Sequence, residues 1–521
     1  MERQEYRKLP IGIQDFEKIR LGGYLYADKT EQAYQLISTG SYYFLSRPRR
    51  FGKSLLISTI KAIFEGRREL FEGLAIASKP DFDWQEHPVL HLDLNTQQYD
   101  SPEKLSYVLN TFLKRAEDEN GVESDLSDNF GPRFENVIRR ACERTGRRVV
   151  ILVDEYDKPL LQAIGNPGLQ NAYRATLKGF YGALKSMDGC IRFAMLTGVT
   201  KFGKVSVFSD LNNLRDISMS RQYYDICGIT RNELVSVFSE EMNSLAAASN
   251  LTYDECLDMI RRRYDGYHFE ESAPGIYNPF SVLCTFAERK FGSYWFETGT
   301  PTYLVNLLQK YDYNLEEMSR VEADTDTLNS VDSESSNPIP VIYQSGYLTI
   351  KGYDPQFKTY TLGFPNEEVE EGFTKFLMPF YTCPRDRMSP FSIANFVRDV
   401  RDGHTEQFIT RLRSLFADTP YELIQNLENH YRNVVWLLFK LMGFYTQAEY
   451  RTSQGRIDLV VGTPKYCYVM EFKLDGTAEE ALAQIQDRNY TLPFAAGERQ
   501  IIRIGINFDR QTRNIDKVVV A

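Results

Sequence analysis

The sequence predicts an α/β protein: a parallel sheet with flanking helices in the first half, then a helical lid, a small connector, and a second α/β unit at the C-terminus. Three observations lead there. Short apolar runs at 42–45, 89–94, 149–153 and 191–196 alternate with amphipathic stretches, as a parallel sheet with crossover helices does. The triplet Gly52-Lys53-Ser54 stands between the first run and a helical stretch at 55–64. From residue 389 onward the order is helix, helix, strands, helix, strand, with carboxylates inside the strand-like runs.

Composition sets the bounds. The chain has 521 residues, too many for one ordinary core. It is 42% hydrophobic and 25% charged, as a folded protein is, and its 33 Tyr and 33 Phe supply core material. The net charge of −10 excludes a protein that coats nucleic acid with a wholly basic surface. Nucleic acid would need a local basic groove, helped by a bound cation. The seven cysteines never form a CxxC pair and the five histidines lack ligand spacing, which points to reduced thiols in the cytoplasm and no zinc site. The charged start, Met1-Glu2-Arg3-Gln4-Glu5, has no apolar signal core, and no run of about 18 apolar residues predicts a membrane span.

Along the chain, Thr230-Arg231-Asn232-Glu233 reads as a capping box opening a helical region that runs to about Tyr264, a lid or a separate spacer. Residues 322–340 are rich in Asp, Ser, Asn and Thr and read as a flexible acidic loop. Residues 341–350 and 359–362 read as strands of the connector, and 428–441 as a helix of the last unit, whose final strand is 501–506. The expected domains are 6–285, 286–388 and 389–521.

Arg47-Pro48-Arg49-Arg50-Phe51-Gly52-Lys53-Ser54 has the strand-loop-helix setting of a phosphate-binding loop. Backbone amides, Gly52, and the cations Arg49 and Arg50 would surround the phosphates of ATP. Lys53 would reach the β- and γ-phosphates and Ser54 would bind magnesium. Arg47 stands where the usual pattern has glycine, and a basic turn at a solvated helix end would read the same way. The run 149–153 ends in Asp154-Glu155. Asp154 would support the magnesium and Glu155 would polarise the attacking water; the alternative is an exposed carboxylate pair. Thr197 ends a third run and is placed to sense the γ-phosphate, or to sit in an ordinary turn.

Tyr26-Ala27-Asp28-Lys29-Thr30, the loop 44–54, and Asp154-Glu155-Tyr156-Asp157-Lys158-Pro159 together resemble the bacterial AAA-ATPase-like family. Phe208-Ser209-Asp210-Leu211-Asn212-Asn213-Leu214 and Tyr264-Asp265-Gly266-Tyr267-His268-Phe269 resemble further family blocks. The resemblance covers roughly 6–285, includes the arginine at position 47, and implies ATP binding on a P-loop fold. It adds Asp28 and Lys29 as lesser candidates and leaves Arg215 and Arg221 as weak arginine-finger candidates.

Gly455-Arg456-Ile457-Asp458-Leu459-Val460-Val461 reads as a turn into a buried strand, where an aspartate is costly unless paired or bound to a cation. In the next run Glu471 and Lys473 are two apart and share a face. If the two strands form a hairpin, Asp458 sits beside them. Two carboxylates and a lysine so placed suit magnesium: the carboxylates hold the ion, the ion activates water, and the lysine orients it. A surface ion pair with Asp458 in a turn is the plainer alternative. Asp458 with Glu471-Phe472-Lys473 resembles the PD-(D/E)XK nuclease superfamily, with Ile457 in place of its proline. Glu428 matches that superfamily's helical acid and Gln484 its extra polar residue. This resemblance, over roughly 390–510, implies a restriction-endonuclease-like domain and DNA or RNA as partner. Two functions follow as expectations: an ATP-regulated nuclease, or a nucleotide-switched module that holds nucleic acid or protein without cutting. A homo-oligomer stays open.

Overall fold

The computed structural model describes residues 7–521 except 125–126, 203–210, 212, 297–301, 330, 332–336, 382–389, 418–426, 442, 444, 453–454, 475 and 513. The chain divides into two units, Met1–Leu304 with Arg320–Val369, and Val305–Ser319 with Glu370–Ala521. It therefore passes between them three times, and the stretch 286–388 is shared by both. Among the described residues no helix is long and apolar enough to cross a membrane.

The first unit is built on strands β1 (Tyr42–Ser46), β2 (Val89–Asp93), β3 (Val149–Asp154), β4 (Ile191–Gly198) and β5 (Arg215–Asp216). They pair in parallel in the order β2-β3-β4-β1-β5. Every residue of β1 and β3 is buried, as strands covered on both faces must be. The edge strand β2 instead alternates, with His91 and Asp93 turned toward solvent. Because β4 lies between β3 and β1, the loop after β1 and the carboxylates after β3 flank the end of β4.

The helical region after residue 230 comprises Arg231–Val237, Ser239–Ala248 and Tyr253–Tyr264, joined by Pro279–Glu288. Leu234, Phe238, Met242, Leu245, Ile260 and Val282 form its core. The capping box at Thr230 and Glu233 is present, and Thr252 with Glu255 forms a second.

Two expectations are corrected here. Residues 321–329 are not a structureless loop: β6 (Val321–Asp324) and the helix Thr325–Asn329 occupy them, because Val321, Ala323 and Leu328 are placed to be buried. Nor is 341–350 one strand. Pro340 lies in the first turn of a helix, Ile339–Gln344, and Gly346 at φ 89° turns the chain into β7 (Thr349–Asp354). Strand β7 pairs with β8 (Thr359–Gly363), which pairs with β6.

The second unit holds β9 (Tyr445–Thr452), β10 (Gly455–Gly462), β11 (Tyr466–Lys473), β12 (Gln500–Asp509) and β13 (Asn514–Val520), in the order β13-β12-β11-β10-β9. Only β11 and β12 are parallel, connected through the helix Ala478–Asp487. Strand β13 extends the sheet beyond the last strand expected; it is an edge strand with little buried surface and so carries a faint pattern. The helix Leu427–Leu441 contributes Val434, Leu437, Leu438 and Phe439 to the interior.

Candidate functional sites

The loop after β1 enters the helix Lys53–Phe64 through two left-handed residues, Arg50 (φ 67°) and Gly52 (φ 93°). Glycine is needed at position 52 for that dihedral angle, since a side chain there would meet nothing within 4 Å. Lys53 is only 4% exposed. Its ammonium donates to the carbonyls of Arg47 (3.1 Å) and Pro48 (3.3 Å) and lies 3.3 Å from Glu155 Oε1. Glu155 itself has φ 54°, a strained conformation that turns the chain sharply off β3.

Asp154 is buried at the end of β3, where its Oδ1 accepts from the Thr197 hydroxyl of β4 and from the Glu155 amide. Ser54 and Asp154 line one hollow of about 220 Å³, together with Asp93 and His91. Two oxygen donors facing a common space suit magnesium, which keeps several waters and takes only one or two protein ligands. Beside it is a cleft of about 400 Å³ lined by Arg49, Arg50, Gly52, Lys53, Glu155 and Lys158, among others. The residues expected around the phosphates thus face one cleft, and Thr197 is joined to the Asp154 side of it.

Arg47 does not face that cleft. Its buried guanidinium donates to the carbonyls of Ser46 (2.9 Å), Ser218 (2.7 Å) and Tyr223 (3.1 Å) and lies 3.9 Å over the Phe269 ring. Burial lowers its pKa to about 10. Position 47 has no positive φ, so glycine is not required there, and the long side chain fastens the strand end to the segment behind it.

The loop is also held from the segment 294–295. The Trp295 indole donates to the Arg49 carbonyl (3.1 Å), and the amides of Tyr294 and Trp295 donate to Glu368 Oε1 (2.6 and 3.0 Å). Glu368 is fully buried; burial raises its pKa to about 7, against the pull of these hydrogen bonds, of Ser281 and of Arg263. Asp28 accepts from the Thr30 amide (2.8 Å) and the Ala75 amide (2.7 Å), while Lys29 pairs with Glu233 (2.6 Å), tying the N-terminal segment to the lid. Arg215 lies over Tyr223, and neither it nor Arg221 lines the cleft. Of the block 208–214, residues 208–210 and 212 lie outside the described residues.

In the second unit β10 and β11 pair antiparallel from Leu459/Met470 to Gly462/Cys467, which leaves Asp458 and Glu471 side by side just past the last rung. Asp458 Oδ2 accepts from the Phe472 amide (2.9 Å), and Glu471 Oε2 accepts from the Asp458 amide (3.5 Å). Gln484 links the rest: it donates to Glu471 Oε1 and accepts from the Lys473 ammonium (2.6 Å), which is 3.8 Å from Glu471. Burial first, then the Asp458 charge, pushes the Glu471 carboxyl up to about 8, with Lys473 opposing. Two adjacent carboxylates, one of them 3% exposed, make a site that a divalent cation would relieve. Among the described residues no group of three or more His, Cys, Asp or Glu gathers around one point. Glu428 lies in the first turn of the helix Leu427–Leu441, and its side chain is outside what the structure describes. Four residues later Arg432 approaches Asp458 Oδ1 at 3.9 Å, a long-range contact with no local signature in the sequence.

The model of the family described as "Predicted AAA-ATPase" matches residues 10–208, and that of the PD-(D/E)XK nuclease superfamily matches 426–518. The phosphate-loop residues, Asp154, Glu155 and Thr197 fall in the first range; Glu428, Asp458, Glu471, Lys473 and Gln484 fall in the second. The "Uncharacterized protein in vnfD 5'region" of Azotobacter chroococcum mcd 1 is 36% identical over 532 residues, covering 99% of each chain. Among solved structures, the Aeropyrum pernix ORC1 protein in complex with DNA aligns with a TM-score of 0.24 and 14% identity, over 67% of this chain and 91% of that one.

Proposed function

From the premise that the chain belongs to the predicted AAA-ATPase family and carries a C-terminal PD-(D/E)XK nuclease superfamily domain, we propose that it binds and hydrolyses ATP and cuts DNA or RNA with magnesium. The observation that carries the cleavage reading is the linked set Asp458, Glu471, Lys473 and Gln484, complete in its residue types and joined by hydrogen bonds.

In the ATPase site the amides of the loop and Lys53 bind the phosphates. The Lys53 ammonium exchanges its Glu155 partner for phosphate oxygens, which leaves the Glu155 carboxylate able to take a proton from the attacking water. Ser54 and Asp154 would hold magnesium there. In the second site Asp458 and Glu471 would hold the ion, which supplies charge neutralisation and a more acidic bound water. Lys473, held by Gln484, would orient the attacking water toward the phosphodiester.

The test incubates the full chain with single- and double-stranded DNA and RNA, with Mg²⁺ or Mn²⁺, with and without ATP. Asp458→Ala and Glu471→Ala should each abolish metal-dependent cleavage and leave ATP turnover in place. The net charge of −10 leaves room for a second reading, a nucleotide-switched module that holds nucleic acid or protein without cutting. Absence of cleavage of all four substrates by a wild type that binds Mg²⁺ would select it.

A further inference from the structure

The ATP cleft holds more positive charge than its recognised loop accounts for. Arg49, Arg50, Lys53 and Lys158 all line it, and among the described residues Glu155 is the one acid that does. Four cations against one carboxylate in a confined space is a costly arrangement without a polyanion, and a triphosphate is the polyanion at hand. The cations come from two directions. In the sheet order β2-β3-β4-β1, Lys53 follows β1, while Lys158 follows β3 and leans toward the turn after β2. There its ammonium is held by the Asn95 carbonyl oxygen (3.3 Å) and by the Asn95 side-chain oxygen. The Lys158 amide donates to the Glu155 carbonyl (3.1 Å), so one tight turn fixes both residues. Glu155 is ion-paired with Lys53 at 3.3 Å and also acts electrostatically on Lys158. Burial lowers the Lys158 pKa, Glu155 opposes this, and the Arg49 charge adds to the lowering, so the ammonium senses Arg49 across the cleft. By contrast, Arg215 and Arg221 are not among the lining residues.

We propose that Lys158 is a catalytic cation of the ATP site, contacting the terminal phosphate from within the same chain, so that hydrolysis needs no cation from a second copy. This rests on the ATPase reading above. Water attacks the γ-phosphorus as its proton passes to the Glu155 carboxylate. The bond from that phosphorus to the β–γ bridging oxygen breaks, and its electron pair leaves on ADP. Lys158 meets the charge that builds on the oxygens of the transferring group, on the face opposite Lys53.

The test measures Mg²⁺-ATP turnover, and affinities for ADP and for a slowly hydrolysed ATP analogue, in the full-length wild type, Lys158→Ala and Lys158→Arg. Lys158→Ala should lower kcat on the order of 10²–10³-fold. It should keep ADP affinity, which also reports an intact fold, and lose the preference for the analogue over ADP. Lys158→Arg should restore much of both. Wild-type turnover per chain should not rise with protein concentration. Wild-type kcat in Lys158→Ala, or equal losses of ADP and analogue affinity in that folded variant, would overturn the assignment. So would turnover that grows with concentration. If the wild type binds ATP and never hydrolyses it, the ATPase reading fails; the analogue-to-ADP preference then still decides whether Lys158 touches the terminal phosphate.

Discussion

Lys53 and Glu155 are ion-paired at 3.3 Å in a pocket that hides both from most of the solvent, so each substitution has a distinct consequence. Removing the Lys53 ammonium takes away a charge-assisted contact to phosphate worth about 1.5–3 kcal/mol, or roughly 10- to 150-fold in affinity. Lys53→Ala should lose ATP binding by at least that factor in calorimetry, and unchanged affinity in a folded variant would refute the assignment. Glu155→Gln keeps shape and hydrogen bonding but cannot take a proton. It should still bind ATP while phosphate release falls by about 10²–10⁴-fold. These residues stand out as candidates in the sequence because their pattern is local: a lysine after glycine at a helix start, carboxylates where an apolar run ends. Asp458, Glu471 and Lys473 stand out as candidates for the same reason, and the paired strands bring them together. Arg47 does not stand out, since its partners Ser218 and Tyr223 lie far along the chain. Lys158 stood inside a recognised block, but its place in the cleft depends on Asn95, which only folding brings near.

Strands β1, β3 and β4 and the helix after the phosphate loop were readable because a strand covered on both faces must be apolar throughout. The run 341–350 misled for the same reason, since periodicity cannot separate a short buried helix from a buried strand; Pro340 and Gly346 carried the distinction. The support of the phosphate loop from the segment 294–295 had no local signature. Its anchor is Glu368, at the start of the helix Glu367–Tyr381, and it has a measurable consequence. The carboxyl rises from an ordinary 4.5 to about 7, chiefly by burial. Between those values the folded chain holds a proton there that the unfolded chain has released. Stability therefore falls as pH rises through that window, by on the order of 3 kcal/mol at most. Glu368→Gln keeps an acceptor for the Tyr294 and Trp295 amides and removes the titration. Urea unfolding at pH 5, 6, 7 and 8 should show a shallower slope for the variant and a stability advantage for it at pH 8. Parallel curves, or a variant weaker at every pH, would mean that Glu368 is carried as the charged form.

At the scale of the whole molecule, the proposed function gives the first unit a switch whose ligand would change by one phosphate, and the second a site that would damage nucleic acid if left unrestrained. The chain passes between these units three times, so neither is a bead on a single linker. The composition break at 322–340 coincides with no crossing between the units, because which residues join which core is set by long-range packing. Coupling requires that ATP bind one arrangement of the chain better than another; equal affinity shifts nothing. A differential of ~1–3 kcal/mol would change cleavage or nucleic-acid affinity about 5–150-fold. Wild type, Lys53→Ala and Glu155→Gln, each with no nucleotide, ADP and ATP, separate the cases. If ATP binding is the signal, Glu155→Gln with ATP should lock in the ATP-bound level of cleavage, and Lys53→Ala should stay at the nucleotide-free level throughout. If turnover is the signal, Glu155→Gln should resemble Lys53→Ala instead. Linkage adds an independent check, because nucleic acid must alter ATP affinity by the same factor that ATP alters nucleic-acid affinity. Identical cleavage in all nine conditions, with ATP affinity untouched by nucleic acid, would show two enzymes sharing a chain and nothing more.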